Sequence, residues 1–189
     1  MGLRKLSGPS VEPVTLAEAK LHCRVDVSDD DELITALIKA AREQAENRIG
    51  RTLIDSTYAL TLDEFPDAIR LRMANILSVT TVEYRDAAGT LQTLNQTEYT
   101  VDLGSPLIGW IYPAMGFAWP ETWDEPNAVT VTYKAGFSAD AASVPDSVKA
   151  WIKCAVASMY RDRELGAEKP SVAHHFLDGL LDPWAVVTL

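Results

Sequence analysis

The chain has only two cysteines in 189 residues, Cys23 and Cys154. Two thiols so far apart in sequence cannot staple a fold of this size, and they fit a reduced rather than a secreted setting. No apolar run approaches the roughly 18 residues a membrane span needs, so no membrane partner is expected. The opening MGLRKLSGPSVEP has no apolar stretch of the signal-peptide kind. Local catalytic signatures are missing too: there is no GxSxG, HExxH, P-loop or GxGxxG. Neither a repeat nor a low-complexity tract is present. Positive charge is scarce, with 17 Lys and Arg against 27 Asp and Glu, a net of −10. That argues against a surface built to grip phosphates, because nucleic-acid affinity comes mainly from cationic neutralisation. It remains compatible with a protein that works beside nucleic acid without holding it.

What is present is ordinary globular composition, 47% hydrophobic and 23% charged, enough for one domain with a real core. Thr15-Leu16-Ala17-Glu18 reads as a capping box opening a short helix over 15–24. The clearest element is a helix over 29–50, with Ser28 or Asp29 as its cap and Asp30, Asp31 and Glu32 at the positive end of its dipole. Its apolar stripe runs Leu33, Ile34, Leu37, Ile38, Ala41, Ala45, Ile49, and Gly50 suits the position after its end. From Leu53 the period changes to two, and short strand candidates follow to about residue 137. Asp86 to Gly89 reads as a hairpin turn. Helix returns over 145–164, with Val148, Trp151, Ile152, Ala155, Val156, Met159 and Tyr160 on one side. The expected fold is α+β: a small helical core, a mostly antiparallel β insertion over 53–137 between the second and last long helices, and an apolar tail. Residues 1–170 form a single domain in this reading, and 171–189 a docking segment.

The acidic run Asp26 to Glu32 lacks EF-hand spacing and reads as helix capping. His174 and His175 are adjacent and point apart on a helix, so no metal is expected there. Cys23, beside His22, and Cys154 read as small apolar filler. No catalytic residue and no cofactor is expected, although carboxylates dispersed in sequence could still converge on a hydrolase site. The aromatic-rich stretch holding Trp110, Tyr112, Phe117, Trp119 and Trp123 is either a contact surface or β core plus loop. The tail must dock somewhere, on its own core or on a neighbour, and intermolecular docking is favoured because so much exposed apolar surface is a liability. Phe176, Leu180, Leu181, Pro183 and Trp184 are its candidate anchors.

Pro13 to Lys20, Leu21 to Asp26, the Leu33–Glu43 helix and Gly50 to Leu53 resemble the opening of tailed-phage head–tail connector (adaptor) proteins, found in phages, prophages and gene transfer agents. The similarity continues through Leu60 to Pro66, Ser78 to Val82, Trp119-Pro120, Val129 to Gly136, Val144 to Tyr160 and Leu180 to Trp184. Cys23 stands where members often have Leu, and Pro183-Trp184-Ala185 where they often have a Pro-Tyr-Arg-like end. The resemblance implies a non-enzymatic structural subunit of a particle's neck, made in the bacterial cytoplasm. It would form a twelve-fold ring beneath the portal protein, meet a downstream neck or tail component, and let DNA pass without tight binding. In that setting Glu43 and Glu46 are the expected acidic channel wall. The rival reading is a non-catalytic ligand-binding β module with Trp110, Tyr112, Trp119 and Trp123 as its platform.

Overall fold

In the computed structural model of the chain, residues 2–162 and 175–186 are described. They divide into two compact units, one of Met1–Pro9 with Asp55–Phe137, the other of Ser10–Ile54 with Ser138–Leu189.

The second unit is helical. Helix α1 spans Leu16–Cys23, α2 Asp31–Ile49 and α3 Asp146–Arg161; a short helix α4 spans His175–Asp178. The capping box forms: the Thr15 hydroxyl accepts from the Glu18 N–H at 3.2 Å, and the Glu18 carboxylate accepts from the Thr15 N–H at 2.8 Å. The Thr15 backbone bond, the largest influence, holds the Glu18 carboxyl below its ordinary pKa. This contribution is therefore present above the usual carboxylate range and is lost as pH falls through the lowered value. Thr15→Ala is expected to cost about 1 kcal/mol, read as a lower denaturant midpoint.

The cap of α2 differs from the expectation. It is Asp30, not Ser28 or Asp29, and its side chain makes no capping bond. The Asp30 carboxylate instead accepts from the Tyr160 hydroxyl of α3 at 2.5 Å, an option that sequence spacing does not reveal. Gly50 closes α2 in the left-handed region, with φ +67, its N–H donating to the Glu46 carbonyl. The stripes of α2 and α3 pack on each other, and α1 packs on both. Ile34, Ile38, Ala41, Ala45, Ile49, Val148, Trp151, Ile152 and Val156 are buried. Cys23 and Cys154 are only half-buried, so neither is the core filler expected of it.

The first unit is β-rich. A strand missing from the sequence reading, β1 over Gly2–Ser7, pairs antiparallel with β2, Ser56–Leu62. Strands β3 (Ile69–Leu71), β4 (Ile76–Arg85), β5 (Leu91–Thr93), β6 (Tyr99–Asp102), β7 (Gly109–Pro113) and β8 (Val129–Ala135) complete it. The strands form a five-stranded sheet, β1-β2-β8-β4-β5, and a three-stranded sheet, β3-β7-β6, all antiparallel. Val129, Val131, Tyr133 and Ala135 alternate inward along β8, opposite the equally buried Tyr58 and Leu60 of β2. Tyr58 and Tyr133 are direct cross-strand partners and their rings stack at 5.8 Å. The Tyr133 hydroxyl donates to the Arg72 carbonyl at 2.8 Å, and burial raises its pKa above the ordinary tyrosine value. Tyr133→Phe removes that donor and is expected to cost about 1–2 kcal/mol, measured as a shift in the unfolding midpoint. The Asp86–Gly89 hairpin turn forms as expected, with Asp86 accepting from the Ala88 and Thr90 N–H groups.

Candidate functional site

On α2, Arg42 and Glu46 are one helical turn apart, and both are buried in the subunit. The Arg42 guanidinium donates to Glu46 at 2.8 Å and to Glu12 at 2.8 Å, with Glu43 at 3.3 Å. Burial is the largest influence on Arg42 and pulls its pKa down. Glu46, Glu12 and Glu43 together outweigh it, so the net shift is upward. Glu46 also accepts from the Leu53 N–H at 3.0 Å, tying the chain after α2 to the helix. Glu46, expected on a channel wall, is instead an internal strut enclosed by Arg42 and a backbone N–H. Glu43 stays outside, with its side chain 64% exposed.

The described part of the tail folds onto its own helical unit. Leu181 is buried, at 3% exposure. Asp178 pairs with Arg48, whose guanidinium lies over the Trp151 ring at 5.4 Å. In the 3₁₀ turn Asp182–Trp184, the Trp184 carbonyl accepts from Arg51 at 2.5 Å, and its indole N–H donates to the Ser147 hydroxyl at 3.0 Å. Burial lowers the pKa of Arg51 from its ordinary value. The Val186 N–H donates to the Ile49 carbonyl at 2.8 Å, closing the segment against the end of α2. Leu181 is thus core of its own subunit rather than a free anchor, and Trp184 is half-buried with both polar ends engaged. Pro183 remains exposed and Leu180 half-buried. His174 and the side chains of His175 and Phe176 lie outside the described residues. The pattern of Leu and Trp showed that the tail must dock; only the partners Arg48, Arg51 and Ser147 show where.

In the β unit the aromatic residues do not form one platform. Trp110 and Tyr112 sit two apart on β7 and stack at 6.2 Å. Trp119 stacks face to face on Phe65 at 4.8 Å, and Phe65 meets Tyr84 edge-on. The buried Trp119 indole N–H finds no partner among the described residues. Trp119 is therefore packing, and the rival reading loses its four-aromatic platform. Phe117 and Trp123 are exposed. Trp123 borders an open cavity of about 550 Å³ lined also by Asp63, Glu64, Thr122, Asp124, Glu125 and Pro126. The Asp63 carboxyl is held below its ordinary pKa, first by the hydrogen bond it accepts from the Asn127 N–H. Among the described residues no group of three or more His, Cys, Asp or Glu is placed to hold a metal ion, and no helix is long and apolar enough to cross a membrane.

Helices α2 and α3 pack together, and the β unit lies between them in sequence. Residues 13–100 match the family model of phage gp6-like head-tail connector proteins. No curated protein sequence matches the chain. Among solved structures, a chain in the neck of an empty gene transfer agent particle, computed with C6 symmetry, superposes with a TM-score of 0.82 at 22% identity, covering 100% of this chain and 97% of that one. A chain of the native gene transfer agent virion gives 0.81 at 21%, and one from the native neck computed with C12 symmetry gives 0.78 at 21%, each with the same coverage. At these identities the likeness is one of fold.

Proposed function

We propose that the chain is the structural head–tail connector subunit of a phage-like or gene-transfer-agent particle, with no enzymatic role. It sits in the neck, self-associates into a twelve-fold ring beneath the portal protein, and joins the capsid to a downstream neck or tail component. The observation that carries this reading is the connector match over residues 13–100, supported by a fold shared end to end with chains of particle necks. A ring of identical subunits needs two different faces on each subunit, meeting head to tail. The outer side of α2, where Glu43 is exposed, is proposed to contribute to the channel wall. DNA passes such a wall without being held, because carboxylates repel phosphate and a chain of net charge −10 offers no surplus of cations. Portal docking is proposed for the outward side of the C-terminal segment, where Pro183 and Leu180 are accessible, while Leu181 and Trp184 fix the segment to its own subunit.

Removing the gene from a producing strain tests the role. Full heads and complete tails are expected to accumulate unjoined, and electron microscopy counts them. Normal tailed particles without this chain would contradict the proposal.

A further inference from the structure

The three-stranded sheet ends in two open edges of opposite charge. Its order is β3-β7-β6, and among the described residues neither β3 nor β6 pairs with a further strand on its outer side. An open edge leaves a row of backbone donors and acceptors ready for another chain. Arg70 of β3 and Asp102 of β6 are both in register with Trp110 of β7. The row across the three strands therefore reads Arg70, Trp110, Asp102. Arg70 and Asp102 are exposed, while Ile69 and Leu71 on either side of Arg70 are buried. With strands about 4.8 Å apart, the two charged positions are separated by roughly 10 Å, with Trp110 between them. No ion pair among the described residues engages either one.

The difference in sign extends along both edges. Residues 68–79 hold Arg70 and Arg72 and no Asp or Glu, whereas residues 94–108 hold Glu98 and Asp102 and no Lys or Arg. Charge of any sign blunts a sheet edge against casual pairing. Segregation by sign does more. Two β3 edges repel each other, two β6 edges repel each other, and only β3 against β6 is attractive. That combination joins one copy to the next head to tail and leaves the same two edges free at the ends, which is what a closed ring requires. Strand direction permits it as well. β3 and β6 each run antiparallel to β7, so they run parallel to each other. A copy turned by one step of a ring keeps that sense.

We propose that β6 of one copy docks edge to edge on β3 of the next, with Asp102 beside Arg70 of that neighbour, and that this contact closes the connector ring. Opposite charges directly across from one another favour this register over its neighbours. The occupant is a second copy because both halves of the contact, one basic and one acidic, are present on the same subunit. The inference rests on the connector reading and names the faces through which its copies meet.

The test is complementation of a producing strain that lacks the gene. The full chain is supplied as Arg70→Asp, as Asp102→Arg, as both changes in one chain, and as the two single variants expressed together. Both positions are exposed, and purified variants with the wild-type thermal midpoint establish that folding is intact. Each single change sets like charges against each other at every contact, and the yield of tailed particles is expected to fall by about tenfold or more. Both changes in one chain exchange the signs of the two edges and are expected to bring the yield back to within about threefold of wild type. The co-expressed singles are expected to recover too, since alternating copies again face opposite charges. Wild-type yield from either single variant overturns the proposal. A double variant no better than the singles overturns it as well, because the edges then meet a different protein. If the strain without the gene still joins heads to tails, the connector reading itself fails, which separates the two.

Discussion

Replacing Glu46 by alanine is expected to destabilise the helical unit by about 3–5 kcal/mol, the range for breaking a buried ion pair by removing one partner. Arg42 stays behind, buried at 4% exposure, with Glu12 and the exposed Glu43 as its remaining carboxylates. The Leu53 N–H loses its acceptor as well, and an orphaned buried donor adds its own penalty. Glu46→Gln keeps an acceptor near Leu53 and is expected to cost less. Glu43→Ala, one face round the helix and largely exposed, is expected to change stability by under about 1 kcal/mol. Urea unfolding of the three variants is the measurement. Equal small effects for Glu46→Ala and Glu43→Ala would place Glu46 at the surface.

Replacing Leu181 by alanine is expected to cost about 2–5 kcal/mol, the range for a buried leucine. The size follows from its 3% exposure and from the contacts that hold it on either side. Asp178 to Arg48 lies before it, and the Trp184 carbonyl to Arg51 and Val186 to Ile49 lie after it. Pro183→Ala, at an exposed position of the same segment, is expected to leave stability within about 0.5 kcal/mol. A segment that served only as an arm for a neighbour would show no loss in the isolated subunit from either change. Unfolding midpoints of the purified subunit distinguish the two cases.

The sequence made some elements legible because their causes are local. The Thr15–Glu18 capping box, the stripe of α2, Gly50 and the alternation of β8 each follow from residues within a few positions of one another. Strand β3 follows the alternation of Ile69-Arg70-Leu71, buried at both ends and exposed between. Strand β1 was not legible, because an edge strand exposed on nearly all its length has no inward period. Beyond the local β4–β5 hairpin, the β1-β2-β8-β4 order depends on pairings tens of residues apart, for which no local pattern exists. The burial of Glu46 was hidden for a related reason: Arg42 and Glu46 at i and i+4 look like a solvated pair unless Glu12 and Leu53 are seen to close over them. The aromatic stretch divided for want of the same information, since the Phe65 that claims Trp119 lies more than fifty residues earlier.

One reconstruction tests the central claim most directly: electron cryomicroscopy of the neck of the particle that encodes this chain. The proposed role requires a closed ring of copies of this chain beneath the portal, with Glu43 turned toward the channel. A neck in which density beneath the portal fits no copy of this α+β fold, or in which this chain is absent, would contradict it.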